Sequence, residues 1–255
     1  MIDRGDAGMP LQLLRSLNCA LFLDFDGTLA DLAAKPDEVA VAPDVLPTLA
    51  ALHRRLKGRL AIISGRPIAQ IDALLWPLRL PAAGVHGMER RSADGALHYA
   101  PLPALAGLRA AALELAARHP GLWVEEKYGA LALHYRQVPE LALLCRATMA
   151  QAVQHSPGTT LMEGKMIVEV KSLGVDKGRA IGAFLAEAPF AGYPPVFAGD
   201  DTTDEAGFAI VQQAGGMGLK VGQGPSIARH GIATPQALRL ALAQVVERLT
   251  KGELT

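Results

Sequence analysis

Short, uninterrupted apolar runs near both ends of the chain, each followed by an amphipathic stretch, limit its fold more than any other feature. Ala20 to Phe25, Leu60 to Ile63 and Val196 to Ala198 read as strands, and Ala82 to Val85 as a further one. Runs this short, without polar alternation, suit parallel strands covered on both faces. Within Asp44 to Lys57, Val45, Leu46, Leu49, Leu52 and Leu56 recur at helical spacing, and Gly58 supplies a C-terminal stop. Pro67 opens a second helix carrying Ile68, Ile71, Leu74 and Leu75. Further helices are predicted at 177–187, 204–213 and 236–250. Strand and helix in alternation predict an α/β fold built on a doubly wound parallel sheet.

The middle of the chain breaks this rhythm. Leu105 to Arg118 reads as a helix, followed by strands Leu122 to Lys127 and Ala130 to Arg136 around Tyr128-Gly129, a hairpin. The order then repeats, with a helix over 140–154 and strands Thr159 to Glu163 and Met166 to Lys171 joined at Gly164-Lys165. Helix and hairpin twice over make an α+β layer. Residues 89–172 are therefore predicted to form an insert in a discontinuous core of 1–88 and 173–255. Alternation gives the layer a polar side. Trp123, Glu125 and Lys127 share a face; Ala132, His134 and Arg136 oppose Leu131, Leu133 and Tyr135; Ile167, Glu169 and Lys171 oppose Met166, Val168 and Val170. Solvent alone explains such a face, and so does a lid that looks onto a ligand.

Lys plus Arg and Asp plus Glu are 25 each, so the chain lacks the electrostatic footprint of a nucleic-acid binder. An anionic ligand must be held by a local site. A chain half hydrophobic and one-fifth charged is folded, not disordered, collagenous or coiled-coil. Cys19 and Cys145 are too few for a disulfide scaffold and are predicted to be buried thiols. No apolar run nears the roughly 20 residues of a spanning helix. The segment with Asp3, Arg4 and Asp6 lacks a signal-peptide core. The expectation is a cytoplasmic monomer with no membrane or nucleic-acid partner.

Asp24-Phe25-Asp26-Gly27-Thr28 ends the first strand, with two carboxylates two residues apart and a glycine that lets the backbone turn tightly. Acids ending a buried strand need a metal or hydrogen-bond donors, and the carboxyl edge of an α/β sheet is where ligands bind. Alone, the pattern also fits an ordinary turn. Gly199-Asp200-Asp201-Thr202-Thr203-Asp204-Glu205 follows another strand and packs four acids into six residues. A hard divalent cation suits such a cluster. Helix capping, with Thr203 as N-cap, explains Asp204 and Glu205 but not Asp200 and Asp201. Ser64-Gly65-Arg66 offers a hydroxyl and free N–H groups beside a helix start, either an anion cradle or a common turn. Lys177 opens a helix against its dipole, so a negative charge is expected near it. The seven histidines show no metal-ligand spacing. Gly215 to Gly224 fails the G-x-G-x-x-G spacing and reads as a strand with turns.

In this order, these elements resemble the haloacid dehalogenase superfamily of phosphohydrolases and, within it, the trehalose-6-phosphate phosphatase family. Further strings carry that resemblance: Gly84-Val85-His86-Gly87-Met88-Glu89-Arg90, Leu133-His134-Tyr135-Arg136, Gly164-Lys165 and Val168-Glu169-Val170-Lys171. It covers residues 19–250.

The resemblance implies a Rossmann-like core with an α+β cap, and magnesium-dependent hydrolysis of a small sugar phosphate, trehalose 6-phosphate, through an aspartyl-phosphate. Asp24 would be the nucleophile and Asp26 the acid and base. Mg2+ would be held by Asp24, the Asp26 backbone carbonyl and Asp200. Asp201 and Asp204 would stand behind the ion, with Asp204 alternatively orienting Lys177. Ser64 and Lys177 would bind phosphoryl oxygens, with Arg66 on the substrate side; His86 is either near substrate or part of a hinge. In the cap, Glu125, Lys127 and Glu169 would grip sugar hydroxyls, with Arg136 and Lys165 as further candidates. Phosphatases of sucrose phosphate or mannosyl phosphoglycerate, a phosphosugar mutase and a non-catalytic sugar-phosphate sensor are the competing readings.

Overall fold

The computed structural model describes residues 18–33, 38–102, 104–164 and 166–251. Asp3, Arg4, Asp6 and Lys165 lie outside these residues, as does the side chain of Lys127. The chain divides into two compact units: one runs to Tyr99 and resumes at Asp176, and the other is Ala100–Val175. Among the described residues, no helix is long and apolar enough to cross a membrane.

The larger unit is built on strands β1 (Ala20–Leu23), β2 (Leu60–Ile63), β3 (Ala82–Gly84), β4 (Glu89–Arg91), β5 (Leu97–Tyr99), β10 (Pro195–Gly199), β11 (Met217–Val221) and β12 (His230–Ile232). Their order is β12-β11-β10-β1-β2-β3-β4-β5. Pairing is parallel from β12 to β3 and antiparallel from β3 to β5. Every residue of β1, β2 and β10 is buried, as strands covered on both faces require.

Alternation sends Leu21, Leu23, Ile62, Val196 and Leu219 to one face, against helices α1 (Val45–Arg55), α2 (Ile68–Leu74) and α7 (Pro235–Thr250). Phe22, Ile63 and Phe197 point the other way, onto α5 (Lys177–Leu185) and α6 (Glu205–Gln213). This is the doubly wound α/β sheet. Gly58 follows α1 at φ +88, its N–H bonding the His53 carbonyl at 2.9 Å, a stop that glycine adopts without strain. Cys19 and Cys145 are free and buried, and burial pushes the Cys19 thiol up to about 12 against the opposing charge of Arg59.

The division at Tyr99 and Asp176 differs from the predicted 89–172. Residues 89–99 form β4 and β5 on the larger sheet because Arg91 is buried there. Its guanidinium bonds Asp72 at 2.6 and 2.7 Å and the Leu80 carbonyl at 2.7 Å. Three-residue strands such as Glu89–Arg91 and Leu97–Tyr99 are too short to carry a hydrophobic period that would mark them.

The smaller unit packs α3 (Ala106–Arg118) and α4 (Ala142–Gln154) on an antiparallel sheet of order β6-β7-β9-β8. Its strands are β6 (Trp123–Lys127), β7 (Ala130–His134), β8 (Thr159–Gly164) and β9 (Ile167–Ser172). Leu131, Leu133, Val168 and Val170 meet Leu108, Leu115, Cys145 and Met149 in one core. β7 stops at His134, so Arg136 lies exposed in the following turn and not on the sheet's polar face.

Candidate active site

Leu23 of β1 stands opposite Ala198 of β10, so the segments that follow both strands leave the sheet at one edge. The Asp24 N–H is held by the Ala198 carbonyl at 2.9 Å. Gly27 then turns at φ +74. A Cβ on it would lie 2.1 Å from Asp200 Oδ2, so only glycine lets the Asp200 carboxylate rest against this turn. The fully buried Thr28 donates to Asp24 Oδ2 at 3.2 Å and lies 3.4 Å from Asp200 Oδ1. Carboxylate oxygens of Asp24, Asp200 and Asp204 all come within 4.8 Å of one another.

Lys177, the first residue of α5, is buried with Nζ 2.7 Å from Asp24 Oδ1 and 2.6 Å from Asp204 Oδ1. These are the negative charges that a lysine at a helix N-terminus requires. Asp204 Oδ2 in turn accepts the Asp201 N–H at 2.9 Å. Gly199 makes room for that carboxylate, since a Cβ there would meet Asp204 Cγ at 2.4 Å.

The capping prediction needs correction. Asp201, not Thr203, is the N-cap of the 3₁₀ turn Thr202–Asp204, with Asp204 closing a reciprocal capping box. The buried Asp204 carboxylate draws the turn start back to the Asp201 N–H. The Asp201 carboxylate faces Thr202 N at 2.6 Å and stays outside the three-acid cluster.

Burial lifts the Asp24 carboxyl to about 6, although the Lys177 charge opposes it. Burial, reinforced by the Asp24 charge, lifts Asp204 to about 6, and burial also raises Asp200. Burial alone would lower Lys177, but Asp24 and Asp204 outweigh it and hold the ammonium charged. Lys177 neutralises one of three clustered carboxylates, those of Asp24, Asp200 and Asp204, so the cluster keeps excess negative charge. Hard oxygen donors with surplus negative charge fit a divalent cation such as Mg2+. Both Asp204 oxygens accept bonds, from Lys177 and the Asp201 N–H, as both Asp24 oxygens do from Lys177 and Thr28.

Asp26 is turned elsewhere. The Arg66 fork grips its carboxylate through Nε at 2.7 and 3.0 Å and Nη2 at 2.8 Å. The predicted substrate-side Arg66 is thus spent on Asp26. Ser64 is fully buried, and its Oγ accepts the Arg66 N–H at 3.1 Å. His86, at φ 56 between Val85 at φ 48 and Gly87 at φ 108, buttresses this loop. Its N–H bonds the Ser64 carbonyl at 2.9 Å, and its ring lies 2.8 Å from where a Gly65 Cβ would stand. Two residues escaped the sequence reading. Thr28 stands in the sequence only as the last residue of the Asp24–Thr28 motif. Lys220, buried on β11, donates to the Asp200 backbone carbonyl; a lysine in an apolar run was its one signal.

In the smaller unit, register aligns Glu125, Ala132, Glu169 and Met162 in one row. Glu125 Oε2 lies 3.0 Å from His134 Nε2, and the His134 ring packs on Trp123 with centroids 4.3 Å apart.

The model of the trehalose-phosphatase family matches residues 22–238. Trehalose-6-phosphate phosphatase of Escherichia coli is 47% identical over 220 residues, 86% of this chain and 83% of that protein. A solved trehalose-6-phosphate phosphatase related protein superposes with a TM-score of 0.69 at 25% identity, over 91% of this chain and 99% of the other. The C-terminal domain of Candida albicans trehalose-6-phosphate phosphatase shares the fold, with a TM-score of 0.80 at 20% identity over 97% of this chain and 98% of the other.

Proposed function

Because the chain belongs to the trehalose-phosphatase family, we propose that it hydrolyses trehalose 6-phosphate to trehalose and phosphate. The observation that carries this is Asp24, a buried carboxylate held by Lys177 on one oxygen and Thr28 on the other, within 4.8 Å of the Asp200 carboxylate. Asp24 attacks phosphorus, the bond to the sugar oxygen breaks, and an aspartyl-phosphate forms. Asp26 gives its proton to the leaving sugar oxygen. It then takes one from the water that attacks the aspartyl-phosphate, which releases phosphate and restores both acids. To do so, Asp26 exchanges the Arg66 guanidinium for the sugar oxygen.

Lys177 and the Ser64 hydroxyl bind phosphoryl oxygens, Lys177 as a charge already poised beside the nucleophile. Asp24, Asp200 and the Asp26 carbonyl would hold Mg2+, which when bound neutralises charge between carboxylate and phosphate. Asp204 orients Lys177. In the smaller unit, Glu125, Lys127 and Glu169 grip sugar hydroxyls, with Arg136 and Lys165 as further candidates, because carboxylates accept paired bonds from vicinal hydroxyls and cationic side chains donate to others. The enzyme acts as a cytoplasmic monomer in trehalose biosynthesis.

Phosphate release from trehalose 6-phosphate, with and without chelator, beside sucrose 6-phosphate and glucose 6-phosphate, is the test. Chelator-sensitive release from trehalose 6-phosphate above the others supports the proposal. Isomerisation without release would instead mark a mutase, and no release from any sugar a sensor.

A further inference from the structure

Lys220 is a buried cation with no part in the chemistry above. It is 6% exposed, and its Nζ donates to the backbone carbonyl of Asp200. The register that pairs Gly199 with Lys220 places its stem beside the strand end from which Asp200 departs. The two buried lysines of this edge therefore do different things. Lys177 binds the carboxylates of Asp24 and Asp204 directly. Lys220 leaves the carboxylates alone and grips the peptide that carries one of them. Asp200 is then held from two sides, its carbonyl by Lys220 and its carboxylate by the space above Gly27.

We propose that Lys220 is a positioning residue for the cation site: it pins the Asp200 main chain so that the Asp200 carboxylate faces Asp24 before an ion arrives. The inference rests on Asp24 and Asp200 being the ion's ligands. Pre-setting a ligand removes part of the ordering cost of binding, and partners outside the ligand set commonly change metal affinity by roughly 10- to 100-fold.

Charge and anchoring predict opposite outcomes at this position. Removing a positive charge beside an acid cluster tightens cation binding by Coulomb attraction alone. Removing an anchor weakens it. Lys220→Met keeps length and apolar stem while deleting the donor. Lys220→Arg keeps a donor, and Lys220 also lines a cavity of about 110 Å³ together with Gly222, Gly224 and Ile232.

The test measures Mn2+ affinity of the purified full-length chain by electron paramagnetic resonance, without substrate, for wild type, Lys220→Met, Lys220→Arg and Asp200→Asn, with thermal melting of each cation-free protein. The expected result is a loss of roughly tenfold or more in Lys220→Met, near-wild-type affinity in Lys220→Arg, and cation-free melting of Lys220→Arg close to wild type. Unchanged or tighter binding in Lys220→Met, with binding lost in Asp200→Asn, overturns this proposal and leaves the ligand assignment standing. Wild-type binding that survives in Asp200→Asn, or no wild-type binding, overturns both. If Lys220→Met does not fold, Lys220→Arg decides: a tenfold loss there despite native melting contradicts the role of a simple donor.

Discussion

Gly27→Ala perturbs the meeting of the two acidic strand ends without touching an ionisable group. The backbone there sits at φ +74, where a Cβ costs about 1–2 kcal/mol. The new methyl would stand 2.1 Å from Asp200 Oδ2, so reaching an ordinary 3.4 Å contact takes a retreat of about 1.3 Å by the carboxylate. A displacement of that size in a reacting group lowers turnover by about a hundredfold. The backbone strain lowers the melting temperature by only about 2–8 °C, from roughly 2–4 °C per kcal/mol in a chain this long. Phosphate release from trehalose 6-phosphate at saturating Mg2+, Mg2+ titration by calorimetry and a thermal melt read the three quantities. A folded Gly27→Ala protein with wild-type turnover and wild-type Mg2+ affinity would refute the argument that Asp200 depends on this glycine.

Other consequences follow from the same charges. Burial lifts Asp24 and Asp204 to about 6 when folded against 3.8 unfolded, so the native chain binds more protons between those values. Cation-free stability should therefore be greatest near pH 4 with respect to these groups and fall towards pH 7, by up to about 3 kcal/mol for each acid. Mg2+ should flatten that fall. Urea unfolding across this range in chelator checks it, and a fall of the same size in Cys19→Ser, Asp24→Asn and wild type alike would assign it to other groups. Lys177→Met leaves two buried carboxylates without their cation and should cost about 3–5 kcal/mol at pH 7 and less at pH 5, read by the same unfolding. Glu169→Ala should lower turnover of trehalose 6-phosphate at least tenfold more than that of a small aryl phosphate; equal losses would remove its sugar role.

Much of the scaffold was legible because burial leaves a coarse mark. Ala20–Leu23, Leu60–Ile63 and Pro195–Gly199 are apolar throughout, and their neighbours at helical spacing make a doubly wound sheet the economical solution. Once parallel strands are granted, acids at two strand ends must share an edge, and the structure brings Asp24 and Asp200 together there. What escaped depends on single side chains reaching across the fold. Arg91 buried against Asp72 ties residues 89–99 to the larger sheet, and nothing in the local pattern announces it. Arg66 and Asp26 are 40 residues apart in sequence, so their pairing is a product of the strand order. Asp201 and Thr203 are both good caps, and the choice falls to a buried carboxylate, Asp204, that the sequence shows only as one more acid. Arg136 follows the alternation of its strand, but the strand ends two residues before it.

The central claim is that Asp24 is the atom donor that attacks phosphorus. Rapid acid quench of the enzyme during turnover of trehalose 6-phosphate, followed by borohydride reduction and peptide mass spectrometry, tests it directly. An aspartyl-phosphate at this position is reduced to homoserine, so the expected result is homoserine at residue 24 and nowhere else. Full turnover with residue 24 recovered as unmodified aspartate, or the mark found on another acid, would contradict it.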